Sequence, residues 1–150
     1  MCRAMACNPE HRDLKFLPWG SVAALLTRNG SPISQHRGNA YCFLPLPGET
    51  GFEIHINGYF ELSSNRRDIW WGEDMAGTSG VRREWNRLML SDVIAPLYCE
   101  LLSKVQKFVE PGKQYDKLWP INVGSDVWNI VKKEVRRPLF VSCHTSCIHP

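Results

Sequence analysis

The sequence lacks the long apolar runs and the compact catalytic motifs by which many protein classes are known. None of its apolar segments approaches the roughly 20 residues that a helix needs to cross a bilayer. It has no glycine-rich phosphate loop, no Gly-x-Ser-x-Gly elbow, no helix with two metal-binding histidines and no paired-cysteine zinc module. We therefore expect a protein without membrane contact that is not an enzyme on its own and holds no cofactor or metal.

An excess of charge of one sign is also missing. The 150 residues carry 18 Lys and Arg against 15 Asp and Glu, so the formal net charge is only +3. Such a charge slightly favours anionic partners and does not distinguish a nucleotide, a nucleic acid or an acidic protein surface. Acidic residues interrupt the basic clusters at 66–67 and 82–83, so no nucleic-acid partner is expected. The first residues of the chain carry too many charges for a secretory apolar stretch. These features predict a cytoplasmic protein.

The cysteines are scattered rather than arranged as a framework of bridges. They are Cys2, Cys7, Cys42, Cys99, Cys143 and Cys147. Their spacing suits reduced thiols. Two of them lie with two histidines in the segment 143–149, where a transition metal could bind. A structural zinc site gathers ligands from two separated segments, however, so we expect residues 138–150 to form an unstructured tail without a metal site.

The first half of the chain predicts one short helix and two strands. Residues 1–16 show no periodicity and are predicted to be an irregular lead-in. The stretch 18–30 is predicted to be a short helix with Trp19 in the core. A short apolar run at 40–46 and a clear alternation of apolar and polar residues at 52–62 predict two strands, joined by a turn into an antiparallel hairpin.

The second half is predicted to be helical. Apolar residues spaced by four indicate a long helix over 83–108, kinked at Pro96 and ended by Pro111 and Gly112. A last helix is predicted over 125–137, with its first residue as the cap. Its inner face is expected to consist of Val127, Trp128, Val131 and Val135. The fold class is therefore α+β, with a β-hairpin packed on a long helix.

A polar cluster, SSNRRD at residues 63–68, follows the alternating strand directly. The adjacent guanidinium groups of Arg66 and Arg67 present forks of donors that suit phosphate oxygens. The alternative is that they form ordinary surface ion pairs. The candidate carboxylates are Asp68, Glu61, Glu73 and Asp74. Trp70 and Trp71 follow the cluster and are candidates for contact with a protein partner.

Several strings resemble the sacsin family of very large chaperone-like proteins. They are LPWGSVAALL, FLPLPGETGFEIHINGYFELSSNRRDIWWGEDM, EWNRLMLSDVIAPLYCELL and LWP. The resemblance covers roughly Leu17 to Arg136 and fades after Arg137. Repeats of this family begin with an ATPase domain related to the ninety-kilodalton heat-shock chaperones. The resemblance implies that residues 17–137 are an incomplete middle, or transducer, segment just downstream of that domain, with a partial ribosomal-S5-domain-2-like fold.

The resemblance also implies roles for the polar cluster. In that superfamily the middle region lends an arginine to the terminal phosphate of the nucleotide, from a short polar motif between a strand and a long helix. The string NRRDI stands in that place. Arg67 is accordingly the first choice for the phosphate contact, Arg66 the second, and Asn65 a polar support. ATP and Mg are implied only for the adjacent nucleotide-binding domain, so this chain alone is expected to be inert as an ATPase.

The implied function is that of a fragment of a sacsin-like chaperone or co-chaperone, which couples the nucleotide state of the adjacent domain to protein folding. Its partners would be that domain, other chaperones and client proteins. The alternative is a protein-interaction module without ATP coupling, in which Trp70, Trp71 and the helix of Trp85 form an exposed patch. Asn57 and His55 lie on the wet face of the alternating strand, where His55 is expected to contact water.

Overall fold

The computed structural model describes residues 1–29, 31–32, 36–72, 79–109, 113–121 and 125–136. Within them the chain forms an α+β fold, as the sequence predicts, in which a mixed four-stranded sheet packs against a long segmented helix. The helical elements are α1 (Cys2–Ala6), a 3-10 helix (Pro9–Leu14), α2 (Ser79–Leu88), a π-helical segment (Met89–Ile94), α3 (Ala95–Val105), α4 (Lys113–Lys117), a 3-10 turn (Asp126–Trp128) and α5 (residues 129–136). The strands are β1 (Gly20–Ala24), β2 (Thr27–Arg28), β3 (Ser31–Pro32), β4 (Asn39–Cys42), β5 (Leu44–Glu49) and β6 (Ile54–Gly58).

The sheet has the strand order β1-β6-β4-β5, and β2 pairs with β3 in a separate ribbon. β1 lies antiparallel to β6, whereas β4 runs parallel to β6 with Ala40 opposite Ile56. The predicted antiparallel hairpin between 40–46 and 52–62 is therefore wrong. Residues 40–46 instead fold back on themselves within the β4–β5 hairpin.

This reversal occurs at Phe43, whose backbone is left-handed (φ 60°). The N–H of Phe43 donates to Oδ1 of Asn57 at 3.1 Å, and Cys42 pairs with Leu44 across the turn. A bulky side chain rarely takes this conformation. The local sequence therefore favours a continuous strand. The turn forms because Asn57, in the distant strand β6, accepts the N–H of Phe43.

The alternating strand is confirmed as β6. Ile54 and Ile56 are fully buried, while the polar residues that alternate with them, His55 and Asn57, are half-buried. Phe52 and Phe60 continue the buried face on either side of the strand. The alternation thus turns one face of the sheet towards the helices and leaves the other largely open.

The predicted helix over 18–30 is wrong, because this stretch forms β1 and then β2. Gly20 lies so close to the helical layer that an added Cβ would stand 2.7 Å from Cδ1 of Ile94. Trp19 is 39% exposed and stacks on Phe43 rather than entering the core. Pairing with β6, which the local pattern does not encode, decides the structure of this segment.

The prediction that residues 1–16 form an irregular lead-in is wrong. They form α1 and the first 3-10 helix, where Asn8 Oδ1 accepts the N–H of Glu10 at 3.0 Å. Cys2 is buried with its sulfur 3.7 Å from that of Met89. Burial raises the pKa of the Cys2 thiol to about 11, which marks a packing residue rather than a nucleophile.

The long helix is confirmed, although it begins within the described residues at Ser79 and is built from three segments. The ladder is π-helical over Met89–Ile94 and returns to α just before Pro96, where the N–H of Ala95 donates to the carbonyl of Leu90, five residues back. Proline has no N–H to donate, so a wider turn here accommodates the missing bond. The expected stop at 111–112 lies outside the described residues.

The last predicted helix is confirmed in its position and inner face. Ser125 stands at the N-cap of the 3-10 turn that leads into α5. Trp128, Val131 and Val135 are buried, and Val127 is half-buried. The tail 138–150 lies outside the described residues. None of the helices in the described ranges combines the length and apolar character that crossing a membrane requires.

Candidate functional site

The polar cluster forms a closed loop, separated from the end of β6 at Gly58 by residues 59–62. Leu62 and Ile69 make an antiparallel bridge at its base. Inside the loop the N–H of Arg66 donates to the carbonyl of Ser63 at 2.8 Å, and the N–H of Ser63 donates to the carbonyl of Asp68 at 2.9 Å. The backbone between residues 63 and 68 is therefore held by its own hydrogen bonds rather than left as an open connection.

Asn65 is the centre of this loop. Its Oδ1 accepts the hydroxyl of Ser63 at 2.7 Å and the N–H of Arg67 at 3.0 Å. The same hydroxyl lies 3.2 Å from both the N–H and the carbonyl of Asp68. Asn65 thereby fixes the backbone from which Arg67 projects, which is a positioning role.

Arg66 and Arg67 are both exposed, and Arg66 has a left-handed backbone (φ 55°). The expected ion pairs with Asp68 or Glu61 do not form in the described part of the chain. Glu61 instead faces Arg82, at 3.4 Å. Two carboxylates named as alternatives, Glu73 and Asp74, lie outside the described residues. Both guanidinium groups therefore stand free of the carboxylates described around them, where an anion could reach them.

Arg67 also borders a cavity of about 340 Å³. Asp68 and Ile69 form the same wall as Arg67, and Leu46 and Trp128 are among the apolar residues that line the remainder. Ser125 and Val127, from the C-terminal part of the described chain, also line the cavity. Polar and apolar residues line the cavity in similar measure, and the carboxylates of Glu49 and Asp68 border it together with Arg67.

Asn86, a residue that the sequence analysis missed, anchors both ends of the loop. It is fully buried in α2. Its Oδ1 accepts the N–H of Glu61 at 2.8 Å, and its Nδ2 donates to the carbonyls of Glu61 at 2.8 Å and Trp70 at 2.9 Å. The loop is thus tied to the long helix by three hydrogen bonds from one side chain. The sequence does contain one signal of this role, since the polar amide of Asn86 interrupts the apolar face of the helix.

The tryptophans divide into two kinds. Trp70 and Trp71 are half-buried, and Nε1 of Trp70 donates to the carbonyl of Ser79 at 3.3 Å. Trp85 is 0% exposed, stacks on Phe16 with ring centroids 4.4 Å apart and donates to the carbonyl of Tyr59 at 2.9 Å. The expected exposed patch therefore does not include Trp85, because the helix turns this face to the core.

His55 and Asn57 contact the chain itself, which corrects the expectation that His55 faces water. Nε2 of His55 lies 2.8 Å from Nε2 of His36, and its Nδ1 accepts the N–H of Asn39 at 3.2 Å. Asn57 accepts the N–H of Phe43. Both side chains therefore hold neighbouring backbone in place.

The described residues offer little for a metal ion. Nowhere in them do three or more metal-binding side chains gather. The cysteines and histidines of the segment 143–149 lie outside the described residues.

These observations define a small α+β unit. Between its strand β6 and its long helix, a polar loop tied to that helix presents two arginines. Over 103 residues, which is 69% of its length, the chain is 42% identical to human sacsin. The chain belongs to the sacsin family. It spans 2% of the length of that relative. No family model and no solved structure matches the chain.

Proposed function

We propose that this chain is a segment of a sacsin-like chaperone or co-chaperone, working in the cytoplasm, in which Arg67 contacts the terminal phosphate of a nucleotide held by an adjacent ATPase domain. Arg66 is the second candidate for that contact, and Asn65 positions the loop. The nucleotide and Mg belong to the adjacent domain. The chain itself is not an enzyme and supplies a cation to a site completed by its neighbour.

The observation that carries the proposal is the state of Arg67. It is exposed and unpaired with the described carboxylates, yet its backbone N–H is bonded to Asn65 and its loop is anchored by Asn86. The backbone that carries Arg67 is thus fixed in advance, and its guanidinium is ordered when it meets a phosphate. In a closed interface such a cation stabilises the charge that develops during phosphoryl transfer. An arginine on an unanchored loop would lose part of that benefit, because its backbone would also have to be ordered on contact.

The architecture is compatible with the proposed placement. A polar loop between a buried strand and a long helix is the arrangement that the sacsin resemblance implies for a middle, or transducer, segment. The partial ribosomal-S5-domain-2-like assignment belongs to the same proposal. Movement of the loop relative to the adjacent domain would then be passed to the core through Asn86 and α2, which link nucleotide state to client handling.

The test mixes the purified chain with a sacsin-like nucleotide-binding domain and measures ATP turnover. The chain alone should hydrolyse no ATP, and it should stimulate the domain. Arg67→Ala should remove the stimulation, and in a full-length parent it should lower turnover by about 10³-fold. Arg67→Lys should restore only part, because an ammonium cannot replace the bidentate fork.

Arg12→Ala is the matched control, since Arg12 is also exposed but lies in the first 3-10 helix. It should stimulate as the unchanged chain does. The proposal is wrong if Arg67→Ala and Arg66→Ala both leave the stimulated turnover intact while both variants remain folded.

The second candidate function is a protein-interaction module without ATP coupling. It is favoured by an exposed apolar cluster consisting of Trp19, Phe43 and Leu44, of which Phe43 is 60% exposed. Trp70 and Trp71, the predicted partner-binding pair, are half-buried by comparison. Binding of a client or another chaperone that survives Arg67→Ala but is lost in Phe43→Ser would favour this function over the first.

A further inference from the structure

β1 forms an edge of the sheet. Among the described strands it pairs with β6 alone. Its sequence, Gly-Ser-Val-Ala-Ala, contains no charge and no proline. Natural proteins usually protect a sheet edge with charged side chains, proline or a bulge, because an unprotected edge offers its free backbone groups to another strand. β1 carries none of these three protections. Two helical segments, α3 and the π-helical segment, do contact β1, but they lie against one face of the strand, where an added Cβ at Gly20 would meet Ile94 and Val93.

The direction of the free backbone groups follows from the register. The N–H of Tyr59 donates to the carbonyl of Trp19 at 3.1 Å, and Trp19 is next to the pair of Gly20 with Gly58. In an antiparallel ladder the hydrogen-bonded pairs alternate. Ser21 and Ala23 therefore bond to β6, and the N–H and C=O groups of Gly20, Val22 and Ala24 point away from it.

The opposite edge of the sheet is different. There β5 contains Pro45 and Pro47, which have no N–H to offer to an incoming strand. The sheet can therefore be extended in a regular ladder at β1 far more readily than at β5.

We infer that β1 pairs antiparallel with β1 of a second copy of this chain, about a two-fold axis at Val22, so that two four-stranded sheets join into one. This register places Val22 opposite Val22 and Gly20 opposite Ala24. Every outward backbone group then meets an outward group of the partner. The inference does not depend on the proposed role of Arg67.

Side chains also fit this self-pairing. Ser21 lies opposite Ala23 of the copy, so no like charges meet. Extension by one residue at each end places the exposed Trp19 opposite Leu25. A cavity of about 500 Å³ that includes Pro18, Trp19 and Gly20 opens beside this end of the strand. The contact is short for a stable dimer, which usually buries at least about 1,200 Å², so the association should depend on concentration.

The test is sedimentation equilibrium of the whole chain over a wide concentration range, with reductant present because Cys7 is exposed and unbridged. The average mass should rise from 17.2 kDa towards twice that value. Two double variants at the exposed positions 21 and 23 probe the register. S21K/A23K places lysine opposite lysine and should remain monomeric, whereas S21E/A23K places glutamate opposite lysine and should associate at least as tightly as the unchanged chain.

Circular dichroism shows that each variant has kept its fold. The inference is overturned if the unchanged chain stays monomeric at the highest concentration. It is also overturned if the two double variants associate equally, since the interface would then lie elsewhere. If β1 pairs only with an extended segment of another protein, the purified chain stays monomeric, and this result overturns the inference.

Discussion

At the scale of single residues, the contact between His36 and His55 is compatible with only one protonation state. Nδ1 of His55 accepts the N–H of Asn39, so the neutral ring carries its proton on Nε2 and donates it to Nε2 of His36. A proton added to His55 would have to sit on Nδ1, facing the N–H of Asn39. Burial, and then the neighbouring His36, accordingly lower the pKa of His55.

This arrangement predicts a loss of stability in mild acid. The unfolded chain binds a proton at His55 near the ordinary value of 6.5, whereas the folded chain resists it to lower pH. The contribution is therefore complete above about pH 6.5 and declines as the pH falls towards the lowered pKa. Urea unfolding at about pH 7.5 and about pH 5.5 should show a smaller free energy of unfolding at the lower pH.

His55→Asn is the matched variant, because its Oδ1 can still accept the N–H of Asn39 but does not titrate. Its stability should change less between the two pH values. Other groups near the pair, Arg37, Glu49 and Tyr41, are retained in both proteins, so the difference between the two profiles reports the contact between His36 and His55. Parallel profiles would contradict the prediction.

At the scale of elements, Gly38 controls how β4 enters the sheet. Its N–H donates to the carbonyl of Phe52 at 2.7 Å, and its carbonyl accepts the hydroxyl of Thr50 at 3.0 Å. A Cβ at this position would overlap the carbonyl group of Ile54. The close approach of two backbones is thus possible only with glycine, and it fixes the parallel register of β4 on β6.

Gly38→Ala should therefore destabilise the protein by at least about 2 kcal/mol, since backbone cannot move aside as a flexible side chain can. The matched control is Gly80→Ala. Gly80 is the second residue of α2 and has nothing within 4 Å of an added Cβ, so alanine there should be neutral or stabilise by up to about 0.5 kcal/mol. Chemical unfolding of both variants measures the two effects, and an equal response at both positions would contradict the argument.

The elements that the sequence predicts well are those with a local cause. The long helix and the strand β6 carry their periodicity in adjacent residues, and the loop at 63–68 carries its turn residues in the same way. β1 and the turn at Phe43 depend on partners far along the chain, so local patterns misassigned both. Within the candidate site, Arg66 and Arg67 are visible in the sequence. The role of Asn86 is not, because only the fold brings it to Glu61 and Trp70.

At the scale of the whole molecule, both ends of the described chain pack onto one core. Phe16 stacks on Trp85 of α2 at the N-terminal side. Trp128 meets Phe52 and Phe60 edge-on from the C-terminal side, with ring centroids 6.2 and 6.5 Å apart. Both sets of contacts are made to the core formed by the sheet and the long helix. No part of this core can be lost without exposing apolar surface from the others.

This shared core predicts that the chain unfolds in a single cooperative transition. Fluorescence is summed over the six tryptophans, of which Trp85 and Trp128 are buried in this core, and far-ultraviolet circular dichroism reports the helices. In urea the two signals should change together, with one midpoint and one slope. Separate midpoints would mean that the sheet and the helical layer come apart independently. In that case these residues would need the rest of a larger sacsin-like protein to hold Arg67 in place, since the loop that carries it is anchored to both layers through Glu61 and Asn86.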